Sequence, residues 1–502
     1  MRIFENSIKV LDNQVIDQIL KSSNPQILKS SNLQILKSSN PQILNNPYRP
    51  PIETFQPTSI MCFPFLSDPS RLLRSRSSFV VRQGIRLRIF TCTGFIMLFI
   101  SQCQSQFRPP QVDITEQDTI GYNFIQQQAN EIENRSYLEP FFQKLYQQRI
   151  GGGQKINIIH IGDSHILGNF LTEEVRKRLQ NAFGDAGRGM IFPYKLAGSN
   201  GPRDYLVENN SGVRWSGNNC QKDLRPVTNY GLSGCTLESN SATAKLTFRL
   251  RDTTTAESHS FTKVTIFQKR SALQYNLNVR DEVTNQEAQL LFDGDYSRSF
   301  YFDRPVGQVS ITADKATSQQ KLLTLDGISL ENELSGVVYH SIGVNGAKYM
   351  DYARTKYFAD QVGDLHPDLI ILSMGTNEAQ GHTDRNYLYR SIGLTVEALL
   401  RHSPNAFILL TTPADSYLRG KGFNPNMADV AVVIRRFARD KGYALWDLYT
   451  FSGGENSAAN WKTKGLMTSD SVHYTRAGYA TQGKLLYQGL VKAYNDYVLS
   501  RP

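Results

Sequence analysis

The chain has 502 residues, 40% hydrophobic and 20% charged, which is the balance of an ordinary soluble protein with room for two or three domains. Its formal net charge is +10, but residues 1–106 hold 12 Lys and Arg against 5 Asp and Glu, so +7 of the excess lies there and only +3 in the remainder. Charge gathered in that way, with no groove-reading motif beside it, argues against nucleic acid as a partner.

Residues 1–80 carry Gln-Ile-Leu-Lys-Ser-Ser-Asn at Gln26 and Gln34, a period of eight, with related copies at Gln18 and Gln42. A repeat needs roughly 20 residues to build one supersecondary unit. This stretch therefore reads as low-complexity disorder or as translated sequence upstream of a misplaced start. Over 81–106, Arg82, Arg86 and Arg88 precede an uncharged run from Ile89 to Ile100. A basic segment followed by so short an apolar one predicts a secretory signal rather than a membrane span, and a periplasmic, cell-surface or secreted protein. Cys103, just beyond it, is a candidate site for a lipid anchor.

Residues 107–204 begin with a lead-in of helical spacing from Phe124 to Tyr146, interrupted by Pro140. The apolar run Ile156 to Ile161 reads as a buried strand. It ends in Gly162-Asp163-Ser164-His165, after which Leu167, Leu171, Val175 and Leu179 predict a helix over 166–183. A serine at such a turn exposes its hydroxyl and places its N–H at the positive end of a helix. Asp163 is expected to hydrogen-bond backbone N–H groups around the turn, and His165 to shape the helix entry or line the pocket.

The pattern changes across 205–335. Leu246, Phe248 and Leu250 alternate with polar residues, and short runs follow at 261–267, 275–279, 288–292, 300–302, 309–312 and 322–325. Turn residues such as Asp293-Gly294-Asp295 and Arg304-Pro305 separate them, which predicts a β-sandwich. Cys220 and Cys235 close a short loop in an oxidising compartment or stay free thiols in a reducing one; spacing does not decide between them.

Over 336–502 the α/β rhythm returns. Val337 to Gly343 is a strand ending in glycine, with Gly346 close behind, and Leu369 to Met374 is an apolar strand ending in Gly375-Thr376-Asn377-Glu378. A glycine N–H and an asparagine amide suit an oxyanion hole. Strands at 406–411 and 443–448, helices at 427–439 and 477–497, and Asp470-Ser471-Val472-His473 complete the pattern. Asp470 and His473 supply, from one turn, a base and the carboxylate that orients it. Motifs at the C-terminal ends of successive strands point to one crevice of a doubly wound α/β sheet. His160 and His340 read as core or supporting histidines, and Glu378 as orienting the Asn377 loop. No H-E-x-x-H, paired C-x-x-C or P-loop argues for a metal or cofactor.

The order G-D-S, glycine, G-x-N, D-x-x-H resembles the SGNH hydrolases, also called the GDSL family, over about 155–204 and 336–495. The resemblance implies a flavodoxin-like three-layer fold. It makes Ser164 the nucleophile, His473 the base and Asp470 its partner, with Ser164, Gly343 and Asn377 as the oxyanion donors. G-D-S-H and G-T-N-E, where many members have G-D-S-L and G-x-N-D, resemble the peptidoglycan O-acetylesterase branch. That branch carries a carbohydrate-binding-module-like jelly roll inserted after the first motif. The expected activity is removal of O-acetyl groups from an acylated polysaccharide, most specifically peptidoglycan. The alternatives are another glycan, acyl transfer between glycans, or a non-enzymatic carbohydrate-binding surface protein.

Overall fold

A computed structural model describes residues 110–115, 120–251 and 260–501. The octad repeat, the signal-like segment of 81–106 and Cys103 lie outside those residues. The lead-in places β1 (Ile132–Glu133) and then α1 (Glu139–Gly151), with Pro140 in the first helical turn. Pro140 thus starts a helix instead of interrupting one, since a first-turn residue has no intrahelical N–H bond to lose. Next come β2 (Lys155–Gly162), α2 (Ser164–Leu167) and α3 (Phe170–Phe183), so the helix expected over 166–183 is broken at Gly168-Asn169.

The strands that follow are β3 (Gly189–Ile191), β4 (Tyr205–Asn209), β5 (Ser216–Asn219), β6 (Cys235–Ser239), β7 (Thr243–Leu250) and β8 (Phe261–Phe267). They continue as β9 (Asn276–Asp281), β10 (Gln289–Asp293), β11 (Ser297–Val306), β12 (Gln308–Asp314), β13 (Leu323–Leu325) and β14 (Gly327–Glu331). The α/β layer resumes with β15 (Gly336–Gly343), α4 (Tyr349–Ala353), α5 (Phe358–Gly363), β16 (Leu369–Ser373), α6 (Thr376–Ala379), α7 (Arg385–His402) and β17 (Phe407–Thr411). It closes with α8 (Asn426–Lys441), β18 (Ala444–Trp446), α9 (Leu448–Phe451), α10 (Ala458–Thr463) and α11 (Arg476–Ser500).

The main sheet has the order β1-β18-β17-β16-β2-β15, parallel except for β1 at one edge. Its faces are both apolar, as a parallel sheet between helices requires. In β16, Leu369 and Ile371 face α1, α3 and α11, while Ile370 and Leu372 face α7 and α8. Reading the five parallel strands in chain order gives 2-1-3-4-5, whose switch point falls between β2 and β16. Register brings the motifs together there: Gly162 lies opposite Gly343 on one side and Ser373 on the other.

The segment between α3 and β15 forms antiparallel sheets in the orders β10-β11-β8-β14-β3, β4-β7-β12-β9 and β13-β6-β5. The first of these reaches back to β3, upstream of residue 205. Arg304-Pro305 lies within β11 instead of marking a turn, where the pairing with β8 is irregular between Tyr301 and Val306. A bulge of that kind tolerates the missing proline N–H. Val264, Ile266, Phe300, Phe248 and Ile311 of these sheets share one hydrophobic core with Ile161, Ile342 and Leu372 of the parallel sheet. Asp204 also ties the layers: it is buried and bonded to Arg176 of α3 at 2.9 Å and to Arg188 at 3.0 Å. Burial alone would raise its pKa, but the two guanidiniums hold it below the usual carboxylate range.

Candidate active site

Ser164 is the first residue of α2, separated from the end of β2 by Asp163 alone. Asp163 caps that helix, its Oδ1 accepting the His165 N–H at 2.9 Å. The Ser164 Oγ lies 2.9 Å from His473 Nε2, and His473 Nδ1 lies 2.6 Å from Asp470 Oδ2. The other oxygen of Asp470 accepts the Thr468 hydroxyl at 2.6 Å and the N–H groups of Val472 and His473 at 3.0 Å each. Burial works to raise the Asp470 pKa, yet these donors together hold it well below the ordinary carboxylate value. Asp470 is therefore an anion that fixes the ring and its tautomer, leaving Nε2 free to take a proton from Ser164. The turn is closed by Thr468 N–H donating to His473 O at 2.9 Å and by Ser471 at a left-handed φ of 57°.

Gly343 and Asn377 approach the same turn from the neighbouring strands. A Cβ on Gly343 would sit 2.4 Å from Leu167 N and 2.7 Å from Asp163 O, so this glycine lets β15 close on the Ser164 turn. The Asn377 amide donates to Ala347 O at 3.0 Å and to Asp163 Oδ2 at 3.2 Å. Both of its N–H groups are thus engaged in the free protein, and holding an oxyanion would require exchanging one of them. The turn that supplies Ala347 O contains Gly346 at φ +76°, with Ala347 N–H donating to Val344 O at 3.1 Å.

Two buried carboxyls stand behind these groups. Burial pushes Asp163 up to about 7, aided by the charge of Glu378. Burial likewise pushes Glu378 up to about 7; its Oε1 accepts the Tyr349 N–H at 3.0 Å, while Oε2 is buried without a partner. Glu378 thereby anchors the start of α4, next to the Asn377 loop. His160 is a satisfied core histidine, bonded to Tyr339 at 2.7 Å and Ser373 at 2.6 Å, whereas His340 is buried with neither ring nitrogen paired. Cys220, directly after β5, and Cys235, at the start of β6, are buried free thiols, and burial pushes Cys235 up to about 12. Among the described residues no group of three or more His, Cys, Asp or Glu is arranged to hold a metal ion.

Thr468 and Tyr479, which hold Asp470 and His165, were not legible as site residues. A threonine two positions before an aspartate is a common local bond with no functional spacing, and Tyr479 reads only as one apolar position of a helix.

The GDSL-like lipase/acylhydrolase family model matches residues 310–481, which take in Gly343, Asn377, Asp470 and His473 but not Ser164. A solved structure of a peptidoglycan O-acetylesterase superposes with a TM-score of 0.59 at 23% identity, covering 75% of this chain and 99% of that one. A family two carbohydrate esterase from Cellvibrio japonicus, at 12% identity, covers 58% of this chain and 99% of its own with a TM-score of 0.24. A lipase/acylhydrolase from Enterococcus faecalis, at 15% identity, covers 32% of this chain and 77% of its own with a TM-score of 0.26. These two scores are too low to carry any argument. No curated protein matches the chain. What residues 310–481 carry is therefore the GDSL-like lipase/acylhydrolase match, on a chain with the SGNH hydrolase fold.

Proposed function

We propose that the protein is a serine esterase that removes acyl groups, specifically O-acetyl groups, from a polysaccharide, and that the polysaccharide is peptidoglycan. The observation that carries the reading is the continuous relay from Ser164 Oγ through His473 to Asp470 at the C-terminal end of the parallel sheet. The basic and apolar run of 81–106 supports an exported protein in the periplasm or at the cell surface, where such a substrate lies.

In this reading Ser164 Oγ attacks the ester carbonyl carbon while His473 Nε2 takes its proton. The carbonyl oxygen becomes an oxyanion held by the N–H groups of Ser164 and Gly343 and by the Asn377 amide. Collapse breaks the bond to the sugar oxygen, which leaves with the proton from His473. Water then attacks the acyl-serine, gives a proton to the same nitrogen, and acetate departs as Ser164 recovers its proton. The test is acetate release from O-acetylated peptidoglycan and hydrolysis of 4-nitrophenyl acetate by the protein from residue 107 onward, with Ser164→Ala beside it. Loss of both activities in that variant supports the reading. A wild-type protein inert on both would leave the carbohydrate-binding alternative, and one active only on the aryl ester would exclude peptidoglycan.

A further inference from the structure

Between β3 and β4 the chain turns through residues 192–204 and borders a cleft of about 680 Å³. That lies inside the range of roughly 300–1,000 Å³ usual for small-molecule sites. Most of its wall is apolar, built from Phe170, Phe192, Tyr194, Leu196, Leu206 and Val207. Phe192 and Tyr194 are buried and meet edge to face, with ring centroids 5.0 Å apart. The Tyr205 hydroxyl is spent on the chain itself, donating to Phe192 O at 2.6 Å and accepting the Phe192 N–H at 3.2 Å. Such a wall takes an aliphatic or backbone surface and offers few polar groups of its own.

The rim has the opposite character. Lys195, Arg203 and Arg251 are exposed there, and no Asp or Glu lines the cleft. Among the described residues their side chains form no ion pair or hydrogen bond, whereas Arg176 and Arg188 share Asp204 and Arg354 holds Asp351. Residues 107–502 carry a surplus of only +3, so unmatched cations gathered at one opening are a local feature, not the general tone of the surface. Like charges set around a low-dielectric wall focus a positive potential on the opening. The occupant they suit is an anion with an apolar body. A neutral sugar leaves the cations unanswered, and a free phosphate leaves the aromatic wall uncovered.

The cleft starts one short helix away from Ser164. α2 ends at Leu167, and Gly168 behind it lines the cleft, so that four residues at roughly 1.5 Å of rise separate the two by about 6 Å. From the other side Asn345, in the turn after Gly343, donates its amide to Ser199 Oγ at 3.3 Å and to Asn200, a residue of the cleft wall. An occupant of the cleft thus lies about one sugar ring from an ester held on Ser164. In peptidoglycan the acetyl ester and the stem peptide are substituents of one muramic acid ring, and the stem carries free carboxylates. We infer that the cleft is a site for this acidic stem peptide, with its backbone and methyl groups against Phe192 and Tyr194 and its carboxylates against Lys195, Arg203 and Arg251. The inference rests on the peptidoglycan reading and adds a selectivity to it: esters on stem-bearing muramic acid are cleaved in preference to those on bare glycan. Binding energy gathered at the stem orients the ester without touching it.

The test is acetate release from one preparation of O-acetylated peptidoglycan, divided into stem-bearing material and material stripped of its stems by an N-acetylmuramoyl-L-alanine amidase. The wild type is expected to show a kcat/KM roughly tenfold higher on the stem-bearing half, and added salt to shrink that ratio. Lys195→Gln combined with Arg203→Gln, at two exposed positions, should bring the ratio close to one while the protein melts with the wild type. A wild-type ratio near one, or a ratio that the folded double variant retains, overturns the stem site and leaves the esterase. Should neither half release acetate, calorimetric titration with the free stem tetrapeptide, alanyl-γ-glutamyl-diaminopimelyl-alanine, separates the two readings. Binding that the double variant loses then sustains the site and overturns the esterase, while binding that it keeps, or none at all, overturns both.

Discussion

The imidazole of His165 stacks on that of His473, with ring centroids 5.2 Å apart and planes 29° from parallel. Its Nδ1 is bonded to the Tyr479 hydroxyl at 3.0 Å, and its Nε2 is buried without a partner. Burial, and next the neighbouring His473, hold its pKa down to about 3. Two neighbouring histidines therefore differ in kind: one faces the Ser164 hydroxyl as its proposed base, and the other is a buried neutral ring stacked against it.

His165→Phe retains the stacked ring and removes a group that stays neutral above about pH 3. The pH dependence of kcat/KM should accordingly keep its midpoint. Acid stability should change, with a definite sign. The unfolded chain protonates this histidine near 6.5 while the folded one resists until about 3, so the wild type loses stability as pH falls through that window. The melting temperature of the Phe variant should drop less between pH 6.5 and 4 than that of the wild type. A shifted rate midpoint would show that His165 exchanges protons during turnover.

Asn377→Ala should lower kcat by about 10²–10³-fold with little change in KM, as removal of an oxyanion donor does. The bonds to Asp163 and Ala347 mean that the same substitution also frees two acceptors, so a modest fall in melting temperature is expected beside it. Ser164→Ala should cost more activity, and Asp470→Asn no more than His473→Ala. Full kcat in the Asn377 variant would remove this residue from the oxyanion hole.

Local pattern made part of this legible and not the rest. The apolar runs of β2, β15 and β16 each end in a motif, so strand, turn and chemistry are read from one stretch. β5 was invisible because Ser216-Gly217-Asn218-Asn219 has no apolar alternation; it is a strand because β6 pairs with it and because Gly217 lets it press on Ala197, where a Cβ would come within 2.2 Å. β14, fully buried between β8 and β3, lies beyond the last run that alternation revealed. The juxtaposition of Gly162 with both Gly343 and Ser373 is a property of register between strands far apart in the chain, which no window of sequence contains.

Gly343→Ala tests that juxtaposition. The new methyl would meet backbone, Leu167 N at 2.4 Å and Asp163 O at 2.7 Å, and backbone cannot swing aside as a flexible side chain does. Overpacking of this kind costs roughly 1–3 kcal/mol. Because the displaced atoms belong to the Ser164 turn, a shift of about 1 Å there can lower kcat by roughly 10²-fold. Thermal unfolding and kcat should fall together. A variant that melts normally and turns over normally would show that β15 and the Ser164 turn have room between them.

Glu378→Gln addresses the two carboxyls behind the Asn377 loop. Glu378 has a folded pKa pushed up to about 7 from 4.5, chiefly by burial. Between those values the folded protein keeps a proton that the unfolded chain has already lost, so this group's contribution to stability falls as pH rises from 4.5 through about 7. Asp163 follows the same sign from 3.8 to about 7, and each anion raises the cost of the other. Glutamine keeps an oxygen to accept the Tyr349 N–H and cannot ionise, so the anchor of α4 survives while the pH-dependent penalty is removed. The melting temperature of the variant minus that of the wild type should therefore increase steadily from pH 4.5 to 8 and level off above. A difference that stays flat over that range would mean that the Glu378 carboxyl is solvated and titrates as it does in the unfolded chain.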